Sequence, residues 1–209
     1  MPNANTQIYD KVVDRSAMLR FAENDMNAKI GKVLDVHQAE ISKIVSSNSP
    51  KLTASLKREI ENEVVSTYSQ LHSLTSRNLM DLVNDQLQYS FQLIDNVIGE
   101  IWRTAKPARR VSEDIVLNRP IYSDKTLTQG WKDIATGERK RIEQVIRQGI
   151  AEGKDEGAIA KMIEQSSTFK MSKQQSMGLA RTAMTSVYSQ ADHEVYTANK
   201  DALQGYQYV

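Results

Sequence analysis

The sequence predicts a mainly α-helical protein, a long antiparallel helical hairpin followed by a small helical module that ends in the start of a β-strand. Three observations carry this prediction. Apolar residues recur every three or four positions over long runs, the spacing of one helix face. Only four prolines and nine glycines interrupt 209 residues. Hydrophobic residues make up 40% and charged residues 25%, which suits a thin or elongated body better than a thick core.

The first helix is expected from Thr6 to about Val45. Its apolar positions include Ile8, Val12, Met18, Phe21, Met26, Ile30, Val33 and Ile41, with Gly31 the single glycine and no proline. The stripe is thin, as a helix touching one partner needs. The stretch SSNSPKLT breaks the pattern, with Ser49 placed to cap and Pro50 at a first helical position. The second helix is expected from Pro50 to about Ala105, through Leu52, Leu56, Ile60, Val64, Tyr68, Leu71, Leu79, Leu87 and Phe91. Unbroken, it would be roughly 80 Å long at 1.5 Å per residue. LHSLTSRN, around Ser73–Asn78, is rich in poor helix formers, so two shorter helices are the competing reading. Neither long helix is stable alone, and a short linker makes antiparallel packing the nearest way to bury both faces.

Residues 1–105 form this hairpin, 106–130 a boundary and 131–209 the second module. The boundary carries Pro107 and Pro120, which end regular helix. Arg103, Lys106, Arg109 and Arg110 give +4 with no acid between residues 103 and 110. This cluster reads either as a contact to phosphate or an acidic partner, or as the solvated positive end of a helix. Helical spacing resumes at Lys132 with Ile134, Ile142, Val145, Ile146 and Ile150, and Gly149 and Gly153 punctuate its end. KDEGAIAKMIEQ reads as a short helix capped by Asp155. SSTFKMSKQ reads as a polar loop, and a last helix is expected from about Gln174 to Lys200. The closing GYQYV alternates as a strand does, so either a partner supplies the pairing strand or the sequence is cut short there.

Composition excludes several function classes. With 27 Lys+Arg against 26 Asp+Glu, the chain is no histone-like polycation. With no cysteine it has no disulfide, thiolate metal site or cysteine nucleophile. No apolar run of about 18 residues is present, so no membrane contact is expected. The start, MPNANTQIYDKVVDR, reads as neither a signal nor a transit peptide, which predicts synthesis in a cytosol-like compartment.

Catalytic and metal chemistry is sparse. His37, His72 and His193 never stand three or four apart, so no helical metal pair is available. Asp192-His193-Glu194 splays around a helix and reads as a solvated face. Glu61-Asn62-Glu63 has the E-x-E form of ADP-ribosyltransferases but lies within a helical pattern with no strand before it. No phosphate-binding loop, dinucleotide glycine pattern or nucleophile elbow occurs. Neither a catalytic residue, nor a cofactor, nor a metal is expected, and the protein reads as non-enzymatic. Tyr188, Tyr196, Tyr206 and Tyr208 read equally as interface anchors or as the core of a small module.

Three pieces of the second module occur together: RIEQVIRQGIAEGKDEGAIAKMI, SMGLARTAMTSVYSQADHEVYTAN and LQGYQYV. In this order they resemble the phage minor head, or head-morphogenesis, family (Mu F-like proteins). The resemblance covers about residues 125–209. Its central motif is Ala180-Arg181-Thr182; the next position is Ala183, where the family usually has glutamate, and Ser189 stands where it often has asparagine. The resemblance implies a virion protein of the phage head, present in multiple copies and associated with the portal protein or the major capsid protein. It further implies a role in head assembly, DNA packaging or ejection, with non-specific double-stranded DNA as a possible contact. The alternative is an internal virion protein that contacts DNA and is ejected with it. Arg103, Lys106, Arg109, Arg110, Tyr206 and Tyr208 are the candidate DNA or partner contacts. Arg181 is expected either to touch portal or DNA, or to pair with Glu164 or Asp201 inside the module, where its loss would unfold the module.

Overall fold

The computed structural model describes residues 4–98, 118–121 and 124–200. Among them the chain forms five α-helices and no β-strand: α1 (Ala4–Ser46), α2 (Ala54–Ile98), α3 (Leu127–Ala151), α4 (Glu156–Gln165) and α5 (Ser167–Ala198). The expected strand from Gly205 and the basic cluster of residues 103–110 lie outside the described residues.

Local chemistry accounts for the helix ends, and the starts of α2, α3 and α5 differ from the expectation, α3 beginning at Leu127 and not at Lys132. α2 does not begin at Pro50. Its first turn is capped by Thr53, whose Oγ1 accepts from the Leu56 amide at 3.1 Å, and Pro50 stays in the connection. α3 begins with a capping box, the Thr126 hydroxyl and the Gln129 side chain each accepting the other residue's amide. It stops at Gly153, whose φ of 69° is open to glycine at little cost. There Gly153 donates to the Ile150 carbonyl and Lys154 to that of Gly149, a Schellman closure. Asp155 caps α4 through the Ala158 amide, as expected.

At α5 the difference is SSTFKMSKQ, which is helix from Ser167 and not loop. Ser166 alone separates α4 from α5, bonding back to the Ile163 carbonyl and accepting the Thr168 amide. Its polar residues divide between two faces: Thr168 and Ser172 are buried beside Phe169, while Ser167, Lys170 and Gln174 are exposed. α2 likewise runs unbroken through Ser73–Asn78. Ser73 and Asn78 satisfy their side chains on the carbonyls four residues back, at 3.0 and 2.7 Å, while Leu71, Thr75 and Leu79 are buried. Burial outweighs weak propensity there.

The four long helices alternate in direction. Asn48, just past α1, meets Glu59 of α2, and Lys29 of α1 meets Asn78 of α2. α2 meets α3 through His72 with Thr128 and Tyr68 with Glu138. α3 meets α5 through Gly130 against Leu179 and Arg141 with Ser172. α5 returns along α1 through Lys173 with Asp35 and Arg181 with Glu23. Small residues on α5, Ala180, Ala183 and Ala191, also let it pack on α2, and α4 packs on α1 and α3. One apolar core joins all five helices, from Ile30 and Ile41 through Ile60, Leu71 and Leu79 to Ile142, Ile146, Ile159, Ile163 and Val195. It therefore crosses the boundary expected at residues 106–130.

Two glycines on different helices predict opposite effects. A Cβ at Gly149 would stand 2.6 Å from Cγ1 of Ile159, where α3 and α4 pack. Gly149→Ala should lose about 1–3 kcal/mol despite better helix propensity. A Cβ at Gly178 meets nothing within 4 Å, so Gly178→Ala should gain up to about 1 kcal/mol. Urea midpoints of the two variants check both signs.

Candidate functional site

Each amphipathic stripe carries a polar residue where an apolar one is due. His37 lies on α1 between Ile30 and Ile41, and Glu138 lies on α3 between Ile134 and Ile142. The fold brings them together at the centre of the bundle. Both side chains are fully buried, with 0% exposure.

His37 Nε2 stands 2.6 Å from Oε1 of Glu138, and Nδ1 stands 3.0 Å from Oε1 of Glu63 on α2. Thr67 donates to the same Glu63 oxygen at 3.0 Å and has its own oxygen 3.0 Å from Nδ1. Tyr68 donates to the other oxygen of Glu138 at 2.8 Å. Two carboxylates thus face the two ring nitrogens, and only a doubly protonated imidazolium donates to both. Burial alone pushes the ring down; the hydrogen bonds and charge of Glu138, then of Glu63, outweigh it and hold His37 above its ordinary value. Burial, then the charge of Glu138, raises Tyr68, so its phenol stays protonated and donates. The rings of Phe169 on α5 and Tyr68 stand edge-on to the imidazole, 6.0 and 6.3 Å away, and Trp131 leans on Tyr68.

A second polar cluster lies farther along the bundle. Asp192 of α5 accepts from Gln86 and Ser90 of α2, each at 2.7 Å, and pairs with Arg15 of α1. Arg15 also donates to the Tyr188 hydroxyl at 2.7 Å and lies over that ring. Gln86 and Ser90 are buried, so Asp192 joins three helices. The expectation that Asp192 belongs to a solvated face is therefore wrong: adjacent residues on a helix diverge, and Asp192 points inward beside buried Ala191 and Val195.

The other residues singled out from the sequence are dispersed. Ala180 is buried against the core, whereas Arg181 and Thr182 are exposed. Arg181 is 60% exposed and stands 3.6 Å from Glu23 of α1; Asp201, one of the two acids expected to pair with it, lies outside the described residues. Glu61 pairs with Arg139 on α3 and Glu63 with His37, so both carboxylates of the E-x-E motif make helix–helix contacts. Arg103, Lys106, Arg109, Arg110, Tyr206 and Tyr208 lie outside the described residues. Among the described residues, no three His, Asp or Glu side chains converge as metal ligands. None of their helices is long and apolar enough to cross a membrane. No family model, curated protein or solved structure matches the chain.

The sequence reading missed Glu138, Tyr68, Arg15, Gln86 and Asp192 as a group. A signal existed: Glu138 and Gln86 interrupt otherwise apolar helix faces. A polar residue on such a face is either a solvated flaw or half of a pair, and only the facing helix decides which.

Three outcomes follow from this geometry. Glu138→Ala strands a buried imidazolium and should cost about 3–5 kcal/mol, while the double replacement His37→Leu with Glu138→Met should cost less than that single change. Chemical denaturation of both variants checks the order. His37 is raised in the folded state, so its stabilisation is complete below the unfolded value near 6.5 and is lost as pH rises through the folded value. Melting temperature should therefore fall with rising pH across that range, and His37→Gln should remove most of that slope. Arg181→Ala, at an exposed pair, should change stability by less than about 1 kcal/mol.

Proposed function

We propose that this protein is a structural, non-enzymatic component of a tailed-phage head, associated with the portal vertex and acting in head assembly, DNA packaging or ejection. One observation carries the reading: three motifs that resemble the head-morphogenesis family follow one another in that family's order across residues 125–209. The placement of the central motif supports it. Ala180 holds α5 to the core, while Arg181 and Thr182 are left at the surface, where a partner could reach them. In this reading α1 and α2 form an antiparallel hairpin that supplies reach and contacts between copies. The start of a β-strand at the closing GYQYV belongs to the same reading. The partner is the portal protein, the major capsid protein or both, and the protein resides in the virion.

The test is co-purification of the full chain with the portal protein of the same phage, followed by imaging of the complex. A complex of defined stoichiometry at the portal is the expected result. Absence from purified heads, or an even distribution over the capsid lattice, would overturn the reading. Salt-sensitive DNA binding without a portal complex, lost on replacing Arg109 and Arg110 by alanine, would instead favour an ejected internal protein that contacts DNA.

A further inference from the structure

We propose that the groove between α3 and α5 is a binding site for a small ligand bearing an oxyanion, a phosphate or a carboxylate, with Arg141 as its anchor. The groove has a volume of about 340 Å³ and is floored by Ile134 and Leu179. Two mid-helix glycines, Gly137 on α3 and Gly178 on α5, keep it open. Glycine inside a helix is a cost, so its presence on both walls calls for a reason. At Gly178 close packing is not the reason, because an added Cβ would meet nothing within 4 Å. At Gly137 the reason is Arg141 itself: Nη1 would stand 3.2 Å from an added Cβ, so the guanidinium lies across the space a side chain would fill.

Arg141 is oriented but not neutralised. Its Nη2 donates to the buried Ser172 hydroxyl at 2.9 Å, which fixes the fork against α5. Its Nε is buried with no hydrogen-bond partner. No carboxylate among the described residues pairs with it. Asp133, the acid in the groove lining, is engaged by Lys125 at 2.5 Å. A fixed guanidinium with only a neutral hydroxyl partner retains its charge, and phosphate and carboxylate are the groups its planar fork fits. Gln175 and Thr182 line the same groove and offer lateral polar contacts. The inference is independent of the phage reading: it rests on the geometry of the groove and requires no partner protein.

The test titrates the isotope-labelled full chain with inorganic phosphate and, separately, with glutarate, at constant ionic strength. Amide resonances of Gly137 and Gly178 and the Arg141 Nε–H are followed. Saturable shifts with at least one probe are expected, and the probe that saturates identifies the oxyanion. Arg141→Gln should weaken saturation about tenfold or more by removing the anchor. Gly178→Leu should abolish it by placing a side chain in the groove, whereas Gly178→Ala, whose Cβ enters open space, should retain the parent's melting temperature. Shifts that are absent or never saturate with both probes would overturn the proposal. So would saturation unchanged in Gly178→Leu.

Discussion

The bond between His37 and Glu138 sets the register on which the rest of the bundle depends. α1 and α3 stand across a diagonal of the four long helices, and this bond spans that distance. Removing two charged groups from water is costly, and their attraction offsets the cost only when their remaining polar atoms are also satisfied. Glu63, Thr67 and Tyr68 supply those partners from α2. A slip of one helical turn by α1, α2 or α3 would leave a buried charge alone. An apolar core tolerates such slips far better, since one isoleucine layer resembles the next.

The Asp192 cluster applies the same constraint elsewhere. It joins α1, α2 and α5, and the central layer joins α1, α2 and α3. α1 and α2 belong to both, so together the two layers position all four long helices relative to one another. Between them the packing is apolar or made of small residues, with Leu71, Leu79 and Ala180 buried. A protein built this way presents fixed outer surfaces.

Much of the helical framework was legible in the residues. The apolar spacing from Met26 to Ile41 and from Leu56 to Leu87 marks α1 and α2, and Asp155 and Gly153 mark the turn between α3 and α4. The errors have two physical origins, a competing local cap and burial that outweighs propensity. Pro50 and the serines before it look like a helix start, yet Thr53 holds the cap. SSTFKMSKQ looks like a loop, yet Thr168, Phe169 and Ser172 are buried on one helical face. Local propensity is a weak prior and tertiary burial overrides it. The candidate site was less legible, because a histidine, a tyrosine and two glutamates spread over a hundred residues share no spacing rule.

By itself, then, the sequence determined the helical class, most helix boundaries and which face of each helix avoids water. Those properties follow from side-chain periodicity and from caps that act within a few residues. Only the tertiary structure decided which polar residues on those faces meet. It placed Glu138 on His37, aimed Asp192 inward and left Arg181 at the surface beside Glu23. A side chain's hydrogen-bonding partner across a bundle depends on the relative height and rotation of two helices, and that is set jointly by every residue at their contact.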